Sequence, residues 1–128
     1  MKEIFVTIPV AATTADLFYI PVPCRGNISE GWVVYNQETD EDEVVTLNRD
    51  DTAVMTFTPS ADSTAEGVKI DGVSDTTNGG LIFDPDSSTT AYQVIEVSIP
   101  NTFDSAGVLG LCLRYDDSAY VEETALDA

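Results

Sequence analysis

The sequence of 128 residues is 43% hydrophobic and 9% aromatic, enough for one domain with a buried core and too apolar for a disordered chain. Its 23 acidic residues stand against five basic ones (Lys2, Arg25, Arg49, Lys69, Arg114), with no histidine and a formal charge of -18. Such a field argues against nucleic acid and anionic membranes as partners and favours a basic protein surface, though a salt-rich habitat selects the same composition.

Along the chain, apolar residues recur with a period of two. "MKEIFVTIPV" sets Ile4, Val6, Ile8 and Val10 against Glu3, Phe5 and Thr7, so residues 1–10 read as an edge strand or arm. It contains neither a long apolar core nor a small-residue cleavage site, and no later run reaches membrane-spanning length, so the expectation is synthesis in the cytoplasm. "DLFYIPV" is the next strand. Pro9, Pro21 and Pro23 place these first segments at sheet edges or at switches between sheets, because proline cannot donate to a ladder. Cys24 and Cys112 match no metal or redox spacing and are expected to be buried free thiols. The formal glycosylation acceptor Asn27-Ile28-Ser29 has no meaning without secretion.

"GWVVYN" carries the only tryptophan, Trp32, expected in the core. Next comes "NQETDEDEVV", where Glu38, Asp40, Glu41, Asp42 and Glu43 crowd into six positions. The cluster reads as a solvated loop that enters the strand "EVVTLN" and guards an edge against foreign strands, or docks on a cationic groove. In "TAVMTFT" Ala53, Met55 and Phe57 oppose Thr52, Val54, Thr56 and Thr58. Shorter strands are predicted in "GVKID" and "LIFD", with "NRDD", "SDTTNGG" and "DPDSST" as turns. The clearest pair comes late. "YQVIEVSIP" turns Ile95, Val97 and Ile99 inward against Glu96 and Ser98, and "GVLGLCLRY" turns Leu109, Leu111, Leu113 and Tyr115 inward against Cys112 and Arg114. These are the candidate central strands. Residues 121–128 read as a frayed tail.

Roughly eight to ten strands without crossover helices predict a single all-β domain over residues 1–128. The expected architecture is an antiparallel β-sandwich, a jelly roll or a related Greek key.

The lack of histidine removes Ser-His and Cys-His catalysis, and no Gly-rich phosphate loop is present, so no enzyme and no cofactor are expected. Calcium is the one cation to weigh, with Asp40, Asp42, Asp84, Asp86, Asp116 and Asp117 as candidate ligands in loops, although none follows the EF-hand order. Trp32, Tyr19, Tyr35, Tyr92, Tyr115 and Tyr120 could form a sugar-stacking platform, but their strand context reads as core.

In size, acidity, strand-rich pattern and an N-terminus that begins in an extended segment, the whole chain resembles the jelly-roll decoration, or cement, proteins of tailed-phage capsids. The likeness implies a homo-oligomer, commonly a trimer, synthesised in the host cytoplasm and seated on the virion exterior where subunits of the major capsid protein meet. Physical reasoning alone assigns the contact to residues 1–10, with Ile4, Phe5, Val6 and Ile8 as candidate partner-binding residues. Two other readings are a carbohydrate-binding or tail-fibre module and an acidic DNA-mimic inhibitor. The mimic needs acids along one continuous face, whereas here they gather in loops.

Overall fold

The computed structural model describes residues 2–37, 43–58 and 67–117. Nine strands form among them: β1 (Lys2–Val10), β2 (Asp16–Pro21), β3 (Asn27–Tyr35), β4 (Val45–Arg49), β5 (Thr52–Phe57), β6 (Lys69–Asp71), β7 (Val73–Ser74), β8 (Val94–Ile99) and β9 (Gly107–Asp116). A short 3-10 turn, Thr90–Gln93, precedes β8. One sheet has the order β1-β9-β3-β6 and the other β2-β8-β4-β5-β7, and every pairing is antiparallel.

The pairings are nested: β1 with β9, β2 with β8, β3 with β6 and β4 with β5. A chain doubled on itself at the β4–β5 turn and then wound into two sheets is a jelly roll. β7 lies outside this nest as an addition to the edge of β5. The two late strands are central, β8 between β2 and β4 and β9 between β1 and β3. The proline-bearing strands β1 and β2 are both edges, where a missing donor costs no ladder bond.

The tip of the nest is a two-residue hairpin loop. Asp50 and Asp51 both have positive φ, 51° and 65°. That is the left-handed pair of a type I′ turn, whose twist suits the flanking strands.

The core fills the space between the inner faces. Ile8, Val10, Ile28, Val33, Leu109, Leu111, Leu113 and Tyr115 from one sheet meet Ile20, Val45, Leu47, Met55, Phe57, Ile95, Val97 and Ile99 from the other. Met55 and Phe57 are large, and the chain makes room for them with glycine at Gly31 of β3 and at Gly72 between β6 and β7. A Cβ on Gly72 would stand 2.6 Å from both Met55 Sδ and Phe57 Cε1. Truncating a fully buried leucine such as Leu111 removes about 2–5 kcal/mol in cores of this kind.

Four departures from the sequence expectation have local causes. "LIFD" is not a strand: Phe83 makes a single bridge to Gly26, with N···O distances of 2.7 and 3.0 Å, and is itself fully buried. A register shift between Leu47 and Asn48 breaks the alternation of β5, so Val54 and Met55 are both buried. Glu96 sits on the outer face of β8 yet is 7% exposed, because the hairpin turn covers it and the Asp51 N–H donates to its Oε1 at 3.2 Å. Glu43, the last carboxylate of the acidic run, is fully buried rather than solvated, since the chain is already entering the sandwich ahead of Val45. Its charge, with burial as the larger cause, pushes the Tyr35 phenol up. The rest of the run, residues 38–42, and the tail 121–128 lie outside the described residues.

Candidate functional site

The most distinctive surface lies at and around β1. Val108 of β9 turns both backbone groups toward β3: its carbonyl accepts the Asn36 N–H at 3.2 Å and its N–H donates to Asn36 Oδ1 at 2.8 Å. The Arg114 carbonyl, of the same parity, accepts the Ser29 hydroxyl on the same side. In an antiparallel ladder successive residues face opposite sides, so the β1 residues opposite Val108, Gly110, Cys112 and Arg114 form non-hydrogen-bonded pairs. Those residues are Pro9, Thr7, Phe5 and Glu3. The N–H and C=O groups of Glu3, Phe5 and Thr7 therefore point away from β9. Among the described residues no strand meets them.

Beside this edge the sandwich is open. A groove of about 500 Å³ runs between β1 and the end of β2, lined by Lys2, Glu3, Ile4, Phe5, Pro21, Val22 and Pro23. Its lining is mixed: Lys2 and Glu3 are charged, and Ile4, Phe5, Pro21, Val22 and Pro23 are apolar.

Of the four candidate contact residues, the structure leaves two at the surface, Ile4 on the groove and Phe5 on the outer face. Ile8 is buried and Ile4 and Val6 are half-buried against the core, because even-numbered side chains of β1 face inward. Phe5, on the opposite face, is 69% exposed.

The outer face of the same sheet is also unusual. Across its strands Phe5, Cys112, Trp32 and Asp71 stand in one row, and Thr7, Gly110, Val34 and Lys69 in the next. Glu3, Arg114 and Glu30 form a third row. Trp32 is thus not a core residue. It is half-buried on the outside, with Lys69 Nζ 4.9 Å and Arg114 Cζ 5.7 Å from its ring centre. Arg114 and Lys69 each also reach a carboxylate at 3.3 Å, Glu30 and Asp71 respectively, and exposed pairs of this sort contribute little to stability.

Neither cysteine is buried as expected. Cys24 and Cys112 are half-buried and free, Cys24 following β2 and Cys112 on the outer face of β9. Burial is the main reason the Cys112 thiol is pushed up, with Glu3 adding to it and Arg114 opposing. Raising a thiol lowers its share of the nucleophilic thiolate.

The aromatic residues are dispersed. Tyr19 is 60% exposed on the outer face of the other sheet, Tyr35 and Tyr115 are in the core, and Tyr92 lies under Arg49, whose guanidinium sits 3.9 Å from its ring centre. Tyr120 lies outside the described residues.

The calcium candidates divide into separate places. Asp84 and Asp86 share a loop in which the Asp84 carboxylate accepts the Asp86 N–H at 2.9 Å. Asp116 ends β9, paired with Asn27, and Asp117 reaches Lys2 at 3.9 Å. Asp40 and Asp42 lie outside the described residues. Among the described residues no three acidic, cysteine or histidine side chains converge as a metal site. No described helix is long and apolar enough to cross a membrane.

No protein-family model, curated protein or solved structure matches the chain.

Proposed function

We propose that this protein is a non-enzymatic structural module, a decoration or cement protein that binds the outer surface of a viral shell and stabilises it through the free edge of β1. The observation that carries the reading is that edge: the backbone groups of Glu3, Phe5 and Thr7 face outward beside a groove lined in part by Ile4 and Val22. An extended segment of the major capsid protein adds to β1 as a further strand and sends alternate side chains into the groove. Each new backbone hydrogen bond contributes about 0.5–1.5 kcal/mol net, so three residues of ladder plus one apolar anchor hold a subunit in place.

The charge of the chain has a place in this account. With -18 overall, the protein is drawn toward basic patches on the shell, and the attraction steers docking more than it holds it. The chemistry also fits a role without turnover, since there is no histidine and burial pushes the Cys112 thiol up. Purified particles test the reading. Recovery of the protein in many copies per shell, on the exterior by electron microscopy, supports it; particles that never contain the protein overturn it.

A further inference from the structure

The five asparagines of the chain are followed by Ile28, Gln37, Arg49, Gly79 and Thr102. Only Asn78 precedes a glycine, and there an asparagine side chain is least protected from its own backbone. With no Cβ in the way, the nitrogen of the next residue reaches the side-chain carbonyl carbon; the branched or long side chains after the other four hinder that approach. Asparagine is one of the heat-labile residues for this reason.

The turn after β7 keeps this junction in place. Gly79 is required by packing, since a Cβ there would collide with Ser74 Oγ and stand 2.6 Å from the Asp75 carbonyl oxygen. Asn78 has no such reason to be asparagine. Its φ is not among the positive ones. Its N–H donates to Asp75 Oδ1 at 2.7 Å and its carbonyl accepts the Leu81 N–H at 3.1 Å, both of them backbone groups that any residue other than proline carries. Among the described residues its side-chain amide has no hydrogen-bond partner, whereas Asn36 uses its Oδ1 to accept the Val108 N–H at 2.8 Å.

We infer that Asn78 is a site of spontaneous modification, at which the side-chain amide is lost as ammonia by ring closure on the Gly79 nitrogen, and that the product frees β7 from β5. The Gly79 nitrogen gives its proton to solvent base and bonds to Asn78 Cγ, while the bond from Cγ to the amide nitrogen breaks and that nitrogen leaves as ammonia. Water then opens the five-membered imide. Addition at Cγ restores the ordinary peptide bond and leaves aspartate; addition at the main-chain carbonyl carbon leaves isoaspartate, with the chain running through Cβ and Cγ. In sum one amide and one water become one carboxylate and one ammonium ion, with no oxidant or reductant.

The fold gates this reaction. The Gly79 N–H donates to the Asp75 carbonyl at 2.8 Å, so its nitrogen is released only when the turn opens. That opening is local, because β7 is two residues long, pairs with β5 alone through Ser74–Met55 and Val73–Thr56, and leaves Val73 68% exposed. Asp75 is the anchor: its carboxylate accepts the Thr77 and Asn78 N–H groups at 2.8 and 2.7 Å, and its own N–H donates to the Val54 carbonyl at 3.0 Å. A new carboxylate at residue 78 repels that of Asp75, and isoaspartate inserts one more main-chain atom beside the tightly packed Gly79. Either product loosens the anchor and bares the edge of β5. The β1 edge belongs to the other sheet and is left as it was.

Prolonged warm incubation of the folded protein in mildly alkaline buffer, followed by anion-exchange chromatography and peptide mapping, tests the inference. One new acidic species is expected, its formal charge moved from -18 to -19 as one amide becomes one carboxylate, with aspartate and isoaspartate confined to residue 78. The folded protein converts at least about tenfold more slowly than the chain held in urea. Asn78→Ser, which removes the amide and breaks no side-chain bond, keeps the unfolding midpoint and yields no such species. Hydrogen exchange reads the structural half: in the converted protein the Asp75 amide exchanges at least about tenfold faster, while the amides of β8 are unchanged. A folded wild type that gains no charge after the urea-held chain has fully converted overturns the inference. So does an acidic species that maps to another asparagine or forms equally in Asn78→Ser, and so does a converted protein whose Asp75 amide is protected as before.

Discussion

Val108 and Asn36 exchange two hydrogen bonds, the backbone N–H of Asn36 to the Val108 carbonyl at 3.2 Å and the Val108 N–H to Asn36 Oδ1 at 2.8 Å. This pair commits the even-numbered residues of β9 to β3, and so decides which half of the β1 backbone is left facing outward. Two proline substitutions one residue apart separate the consequences. Thr7→Pro removes an outward donor and spares the β9 ladder, so the protein stays folded with a loss of no more than about 1 kcal/mol. Ile8→Pro removes an inward donor and a buried side chain and costs about 3 kcal/mol or more. Thermal unfolding of both, followed by circular dichroism, checks the assignment.

The β4–β5 turn offers a gain in stability. Asp51 holds φ at 65°, which is strained for any residue with a Cβ, while what it gives the fold is a backbone N–H to Glu96. Asp51→Gly keeps that bond, relieves the strain and is expected to stabilise the protein by about 0.5–1 kcal/mol, whereas Asp51→Ala does not. In urea unfolding the glycine variant should show a higher midpoint at unchanged slope.

Tyr115 links one end of the sandwich to the loops. Its hydroxyl donates to the Cys24 carbonyl at 2.7 Å and lies 3.4 Å from that of Phe83. Burial, then the Cys24 thiol and the carboxylates of Asp84 and Asp117, hold its phenol far above the ordinary value of 10.0. A raised native pKa means that the folded state keeps a proton which the unfolded chain gives up. Stability is therefore full below about pH 10 and falls as the pH climbs beyond it. Tyr35, raised by burial and by Glu43, acts in the same direction. In an alkaline absorbance titration these two phenols should ionise together with unfolding. Tyr115→Phe, which strips the carbonyls of their donor, should cost about 1–3 kcal/mol at neutral pH.

Cys112 makes a kinetic prediction. Because its pKa lies above the ordinary value, its thiolate fraction near pH 8 is smaller than that of a free cysteine, and its reaction with a disulfide reagent should be correspondingly slower. Full reactivity should return in denaturant.

Much of the fold is legible in the two-residue rhythm. Ile95, Val97 and Ile99 in β8 and Leu109, Leu111 and Leu113 in β9 are buried as their alternation requires, and Pro9 and Pro21 mark the edges. Alternation fails where the register shifts. The extra residue between Ile28 and Glu30 lets β3 change phase, and the shift beside Leu47 buries Val54. β7, two residues long, is too short to carry any period.

The candidate site is harder to read for a different reason. Trp32 and Val34 on β3, and Val108 and Cys112 on β9, are apolar on the face that a half-solvated strand leaves polar. In sequence such residues look like core. The available signal is that Val33, Tyr35, Leu109 and Leu111 already supply an inner face, so a second apolar face on the same strands needs a second cover. The acidic cluster misleads in the opposite way, because its composition speaks for solvent while Glu43 is carried inside by the strand that follows.

The account rests most heavily on β1 as the proposed docking edge, and co-sedimentation with empty capsid shells of the tailed-phage type tests that directly. Wild-type protein should pellet with the shells at a saturating number of copies. Folded Thr7→Pro, lacking one outward donor and unable to continue a ladder through that position, should remain in the supernatant. Wild-type protein that fails to pellet, or Thr7→Pro that pellets equally well, would contradict it.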